Sequence, residues 1–318
     1  MIKGYKIVDA DEVMSRTEKY HKDGAEPGVY VGYEAFNGLY SMKLGSCTDW
    51  TGAPQSGKTQ LLMQLLHYTS VAYGWKHTLY VPDMGELEEI MDILIHIHTG
   101  KTIDPRYANR ISLQEMFSAN NWLLDNFFIL DAEPEAPPLT SVQFWEYVCE
   151  TRCQTGVIDS WKDMSHDYSK HGGNYARYLS EVLPRRNALA QRFKKHFHTV
   201  IHPKNARRGK NGDKQNVDVD DMEGGAQWNN SGKSIIGCNR DTFDTTIIDI
   251  DILKAKPRIV GKRGMLQLEY DVVRGQYFEK LPGVDQKYYA GELKEHILTR
   301  TPEFFEPPDR YETEAPPF

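Results

Sequence analysis

Cysteine is scarce in this chain of 318 residues, with four in all (Cys47, Cys149, Cys153, Cys238) and no C-x-x-C pair. That argues against a disulfide framework and fits a reduced protein with buried thiols. Cys149 and Cys153 are expected to pack on one helix. Long apolar runs are also missing: no stretch approaches the roughly eighteen residues that a membrane-spanning helix needs. The first thirteen residues are charged, so no signal peptide is expected. An excess of positive charge is lacking too. Lys and Arg number 38 against 45 Asp and Glu, for a net charge of −7 and a pI of about 5.9. A uniformly basic nucleic-acid coat protein is thereby disfavoured, although a local basic channel is not. Internal repeats and low-complexity tracts are absent. What remains is ordinary globular composition, 40% hydrophobic and 26% charged, enough for one large α/β domain or two small ones.

Against that background one stretch stands out. Thr51–Thr59 reads Thr-Gly-Ala-Pro-Gln-Ser-Gly-Lys-Thr and fits G-x-x-x-x-G-K-[ST]. Gly52, Ala53, Pro54, Gln55, Ser56, Gly57, Lys58, Thr59 and Gln60 form the candidate nucleotide cradle. Glycines let consecutive backbone N–H groups turn toward one anion, and the following helix offers its positive end. Lys58 can reach the β- and γ-phosphates of ATP, and the Thr59 hydroxyl can bind Mg²⁺. An apolar stretch precedes the loop, and Leu61, Leu62, Leu65, Leu66 and Val71 follow at helical spacing.

Strand and helix patterns alternate along the chain. Strands are expected within 44–51, 76–82, 126–131, 156–159 and 198–202, then at 234–238, 245–253, 265–270 and 276–279. Helices are expected at 60–73, 86–98 and 141–152, with 102–121 helical in part. Another spans 175–197, broken near Pro184. Crossovers of twenty or more residues imply an α/β fold with a mostly parallel sheet, and the β-only end implies an antiparallel extension. The expected division is an N-terminal arm at 1–30, an ATPase domain at 31–285 and an acidic, proline-rich tail at 286–318.

An NTPase needs a carboxylate for its metal. Asp159 and Asp131 both end apolar strands, and the residues alone leave the choice between them open. Hydrolysis needs a group to activate water. Asp83, at the end of the second strand, suits that role, with Glu86 in reserve; the alternative is that Asp83 caps the helix behind it. His202 ends the fifth strand, where a polar side chain can sense the γ-phosphate or be merely structural. The His96-x-His98 and His196-x-His198 pairs lack further ligands and read as faces of a helix and a strand.

The order of these parts resembles the hexameric RecA-like helicases of the DnaB type, and most of all the helicase halves of phage primase-helicases and of Twinkle. The resemblance covers roughly residues 28–280. It is carried by Gly52–Thr59, Tyr80–Met84, Gly156–Ser160, Thr199–Lys204, Gly224–Asn230 and Ile252–Lys256. It implies ATP and Mg²⁺ as cofactors, with Asp83 as the catalytic carboxylate. Asp159 then becomes the metal-site aspartate in place of Asp131, and His202 the phosphate sensor. Lys254 and Lys256 would reach a neighbouring subunit's nucleotide, with Arg258 as a substitute finger. Three departures follow: Asp for Glu at 83, Lys for Arg at 256, and Asn230 where the family has glutamine. A lysine finger lacks the bidentate fork, which implies slow turnover unless Arg258 serves in its place.

Lys204, Arg207, Arg208, Lys210 and Lys214 face the single acid Asp213 in the loop after the sensor strand. Such a loop can track single-stranded DNA backbone without reading bases; the alternative is a solvated loop. A second basic candidate comprises Lys162, His166, Lys170 and His171. The tail ends Ala-Pro-Pro-Phe and is a candidate docking segment for replication partners. The reading is therefore an ATP-dependent helicase or translocase acting on single-stranded DNA as a ring, a hexamer by family likeness, with no membrane association. A cytoplasmic setting in a bacterial, phage or mobile-element context is expected. The alternatives are a RecA/KaiC-like DNA-dependent ATPase in recombination or regulation, and a nucleotide-gated DNA-binding scaffold with little hydrolysis.

Overall fold

A computed structural model describes residues 6–133, 135–204, 216–240 and 245–300, with side chains in the last helix described as far as residue 297. In chain order the elements are α1 (Ala10–Asp23), β1 (Ser46–Thr51), α2 (Lys58–Tyr73), β2 (His77–Tyr80), α3 (Leu87–Thr99), α4 (Leu113–Asn126) and β3 (Phe127–Ile129). They continue with α5 (Ser141–Glu150), β4 (Thr155–Ile158), α6 (Tyr175–Phe193), β5 (His196–Ile201) and α7 (Gly225–Ser231). The chain closes with β6 (Ser234–Asn239), β7 (Ile247–Ala255), β8 (Gly264–Asp271), β9 (Gln276–Phe278) and α8 (Glu292–Arg300).

The strands form one sheet in the order β3-β2-β4-β5-β1-β6-β7-β8-β9. From β3 to β6 every pairing is parallel. From β6 to β9 every pairing is antiparallel. This is the mostly parallel sheet with an antiparallel extension that the strand pattern predicts. Parallel strands need long crossovers, and here helices supply them.

Alternation along each strand divides the core in two. Val157, Val200 and Ile236 join the cluster under α2, α3 and α4, while their neighbours Ile158, Ile201 and Ile235 join the cluster under α5, α6 and α7. Successive strand side chains point to opposite faces, so a sheet covered on both sides needs apolar residues at both parities. Within the second cluster the Arg186 guanidinium pairs with Asp49 of β1, and neither side chain is exposed. The pair fastens α6 directly beneath the strand that leads into the loop at 52–57. On the other face, the Gln64 carboxamide of α2 donates to the Tyr277 carbonyl (3.1 Å) and accepts from its N–H (2.7 Å). The antiparallel extension thus holds the helix that follows that loop.

Two local expectations need correction. The helix at 175–193 does not break at Pro184 but runs through it. Pro184 and Ser180, four residues before it, are both exposed, so the carbonyl that loses its partner can meet water. Six side chains on the opposite face, among them Leu179, Val182 and Leu183, are buried and hold the helix together. The second correction concerns Cys153, which lies beyond the end of α5, so it does not share a helix face with Cys149. The N-terminal arm contains α1, which buries no residue against the rest of the described chain.

Candidate active site

The carboxyl ends of β1, β2, β4 and β5 open on one side of the sheet, the side where ligands bind in open α/β folds. β1 leads into loop 52–57, whose path depends on two glycines at positive φ, Gly52 (152°) and Gly57 (88°). A Cβ on Gly52 would stand 2.3 Å from the Cys238 carbonyl oxygen, and one on Gly57 would stand 2.1 Å from the Tyr277 hydroxyl. No side chain fits at either place. Gln55 also takes a left-handed conformation, φ 59°, at a cost of ~1–3 kcal/mol that the rest of the fold must offset. Gly57 then caps α2, so the helix begins where the loop ends. A loop closely wrapped around its own backbone, followed by a helix N-terminus, suits an anion.

Lys58 opens α2 and is largely buried. Its ammonium donates to the carbonyl oxygens of Gly52 (3.0 Å) and Ala53 (2.8 Å). Burial lowers its pKa, opposed by the charges of Asp159 and Asp83. The next side chain, the Thr59 hydroxyl, donates to Oδ2 of Asp159 at 2.5 Å. Asp159 follows β4 directly and is 3% exposed. Burial raises its pKa, against the pull of the Thr59 hydroxyl and of Lys58. β5 lies between β1 and β4 in the sheet, yet the loop-and-helix turn carries Thr59 across to Asp159. A hydroxyl and a carboxylate oxygen side by side are hard donors that fit Mg²⁺.

Asp83 stands in a 3-10 turn, Pro82–Met84, just beyond β2. Each of its oxygens has a partner. Oδ1 lies 2.6 Å from the Lys162 ammonium, and Oδ2 lies 3.3 Å from Nε2 of His202. Partial burial works to raise the Asp83 pKa, but the Lys162 ammonium and His202 outweigh it, and the carboxyl sits below its ordinary value. His202 follows β5 and is partly buried; burial and the nearby Lys58 charge lower its pKa.

Lys58, Thr59, Asp83, Asp159 and His202 line one cleft of about 500 Å³, together with Pro54, Gln55, Gly57 and Gln60. Sequence reasoning missed Arg240, Tyr270, Met84 and Ile93, which complete the wall. Arg240 follows β6, the parallel neighbour of β1, and Tyr270 comes from β8 of the antiparallel extension, and no spacing within 51–59 announces either. Lys162, one charge of a basic patch in the sequence, turns toward Asp83 instead.

Other candidates lie elsewhere. Glu86 is the N-cap residue of α3, without a capping side-chain bond. With Asp131 it lines a separate cavity of about 200 Å³ beyond β2 and β3. Lys254 lies on β7, and its ammonium donates to the Asn229 carbonyl. Lys256 and Arg258 are exposed in the segment after β7, and none of the three lines the cleft of its own chain. Lys204 is exposed at the end of a described segment, whereas Arg207, Arg208, Lys210 and Lys214 lie outside the described residues, as does the tail from residue 301. His166 bonds to Trp161 and Tyr178.

No family model matches the chain. The Twinkle homolog protein, chloroplastic/mitochondrial, of Arabidopsis thaliana is 25% identical over 296 residues, covering 87% of this chain and 40% of that protein. The chain therefore spans about two-fifths of the length of this curated relative. A solved structure of a DnaB-like replicative helicase, described with its interactions with primase, superposes with a TM-score of 0.64 at 16% identity, over 86% of this chain and 67% of that one. A second solved structure, an isolated ATPase domain, superposes with a TM-score of 0.67 at 15% identity, over 87% of this chain and all of that one (100%). In sequence and in fold, then, the chain resembles the DnaB/Twinkle-type helicases and has their RecA-like core.

Proposed function

We propose that this chain is the motor of an ATP-dependent, replicative-type DNA helicase or translocase that acts on single-stranded DNA as a ring, a hexamer by analogy with the family it resembles. The observation that carries the reading is the convergence of Lys58, Thr59, Asp83, Asp159 and His202 on one cleft at the carboxyl ends of parallel strands. Each residue has a role there. The loop N–H groups and Lys58 bind the β- and γ-phosphates. Thr59 and Asp159 would hold Mg²⁺, which supplies charge neutralisation for the phosphates when bound. Asp83 takes the proton of the attacking water, and His202 reports the state of the γ-phosphate to the segment behind it. Lys254, Lys256 and Arg258 complete the site of an adjacent copy. Lys204 begins the segment that would track the DNA backbone with Arg207, Arg208, Lys210 and Lys214. The α1 arm would link neighbouring subunits. Replication partners, through the tail or otherwise, and a cytoplasmic setting belong to the same proposal. Among the described residues no helix is long and apolar enough to cross a membrane.

The test is strand displacement on a forked duplex with ATP and Mg²⁺, wild type against Lys58→Ala. Unwinding that needs ATP and Lys58 supports the reading. ATP hydrolysis stimulated by DNA with no fork opened would move the chain to the RecA/KaiC-like alternative. A scaffold with little hydrolysis gains from one observation, the ion pair that already occupies Asp83. DNA binding that persists in Lys58→Ala, with negligible turnover in the wild type, would favour it.

A further inference from the structure

The carboxylate assigned to accept a proton already holds a cation. Lys162 comes from the 3-10 turn Trp161–Asp163, directly after Asp159 and Ser160. That turn is firmly seated. Trp161 is 2% exposed, with its ring 6.1 Å from that of Trp145 and 5.2 Å from that of Trp228. The Ser160 hydroxyl donates to Asp163 at 2.6 Å. The base of the Lys162 side chain is thus fixed, while the side chain itself is 53% exposed and reaches Oδ1 of Asp83 at 2.6 Å. One short segment therefore presents the metal-site carboxylate and, three residues later, a cation over the candidate base.

We propose that Lys162 is a positioning residue that restrains Asp83, holding its carboxylate in an ion pair that must open before it can take a proton from water. The inference rests on the NTPase reading above. A carboxylate oxygen that accepts an N–H bond from an ammonium is a weaker base than a free one. Both partners carry the mark of the contact: Asp83 lies below its ordinary pKa and Lys162 above its own, the latter mainly through this hydrogen bond. The other charged groups facing Asp83 are His202 from the end of β5, Lys58 from α2 and Asp159 from the end of β4. Lys162 is the one of these cations whose side chain is about half exposed, so it can leave without disturbing the core.

The experiment compares the full chain with Lys162→Met and Lys162→Arg. Without DNA, Lys162→Met is expected to raise basal ATP turnover roughly three- to tenfold with KM unchanged, and Lys162→Arg to stay near wild type. In an Asp83→Asn background, Lys162→Met is expected to add nothing. Turnover that is unchanged or lower in Lys162→Met overturns the proposal. A second readout needs no turnover: carbodiimide labelling of Asp83, read by peptide mass spectrometry, should rise in Lys162→Met and not in Lys162→Arg. Equal labelling in all three overturns the restraint. A wild type that splits no ATP, with or without DNA, yet shows the labelling difference would sink the NTPase reading and leave the restraint standing.

Discussion

Arg186 and Asp49 form a bidentate ion pair with no exposed side-chain atom, at 2.5 and 3.1 Å. The guanidinium also lies 5.9 Å from the Trp145 ring and 5.4 Å from that of Trp228. Burial pushes the Asp49 pKa up, and the Arg186 charge opposes it. A charge this deep is stable only with its partner. Asp49→Ala or Arg186→Ala is expected to cost ~3–5 kcal/mol, because each strands one buried charge. Replacing both by apolar residues of similar volume, Asp49→Leu with Arg186→Met, is expected to cost far less than the sum. Urea unfolding of the four proteins checks this. A double variant as unstable as the two singles added together would mean no coupling between the two residues and would overturn the stranded-charge account.

Buried histidines predict sensitivity to acid. Burial lowers the pKa of His67 and His77 to about 3 and that of His196 to about 4, and holds His198 well below the ordinary value. In the unfolded chain they titrate near pH 6.5. The folded-state values are depressed, so below about pH 6.5 the unfolded state binds protons that the native state refuses. Stability is full above that point and falls as the pH drops toward 4. His77 accepts or donates to Thr155 (2.7 Å) and Ser70 (3.0 Å). Its own share of the loss between pH 7 and pH 5 is about 2 kcal/mol. Urea midpoints of wild type and His77→Gln at both pH values measure it: the variant is less stable at pH 7, and its pH gap is smaller by that amount.

Much of the fold was legible because the signals were local. The loop at 52–57 needs its glycines at fixed places, and parallel strands buried on both faces read as short apolar runs flanked by crossovers. Asp83, Asp159 and His202 each follow a strand whose end could be read, although Asp131 ends one too and only the family resemblance set Asp159 apart from it. The contributions that escaped come from far along the chain. Arg240 reaches the cleft because β6 pairs beside β1, and Tyr270 because β7 and β8 extend the sheet from β6, long-range pairings that no window of sequence contains. Pro184 misled because its cost depends on whether the freed carbonyl faces water, which a helix pattern alone does not say. Lys162 looked like one charge in a basic patch, since its partner Asp83 is remote in sequence.

The glycines of the loop offer a steric test. Gly57→Ala places a methyl 2.1 Å from the Tyr277 hydroxyl in a conformation that L residues avoid. Either the loop or Tyr277 must move, and Tyr277 is held through Gln64. Nucleotide affinity is expected to drop by at least about tenfold, with thermal stability lower by ~1–3 kcal/mol. Fluorescent ATP-analogue titration and a melting curve read the two effects. Gly74→Ala, at a positive φ (65°) but with nothing within 4 Å, is the control: it should cost stability and leave affinity unchanged.

Removing the proposed metal site should separate binding from turnover. Thr59 and Asp159 touch each other at 2.5 Å, so Asp159→Asn keeps the shape and the hydrogen-bonding partner while removing the charge. Turnover is expected to fall by about 10²-fold or more, the scale on which a lost electrostatic stabiliser acts, with folding intact. Chelation of divalent cations should bring the wild type to the same level and change the variant little. ATP hydrolysis with and without EDTA checks this, and a variant as active and as EDTA-sensitive as wild type would remove Asp159 from the metal site.

Lys256 is exposed and does not line the cleft of its own chain, so if it acts on nucleotide it acts on another copy's. Lys58→Ala and Lys256→Ala are each expected to be inactive alone, the first for want of a phosphate lysine and the second for want of a finger. Mixed, they should recover turnover, because a Lys256→Ala site seated beside a Lys58→Ala subunit receives an intact finger. Action within one chain predicts no recovery at any mixing ratio. The same logic sets the sign for Lys256→Arg. A guanidinium can engage two phosphate oxygens where an ammonium engages them as a point charge, and a well-placed arginine finger is worth ~10³–10⁵ in rate. Turnover should therefore rise in Lys256→Arg if position 256 is the finger. It should stay at the wild-type level, and collapse instead in Arg258→Ala, if the guanidinium at 258 already serves.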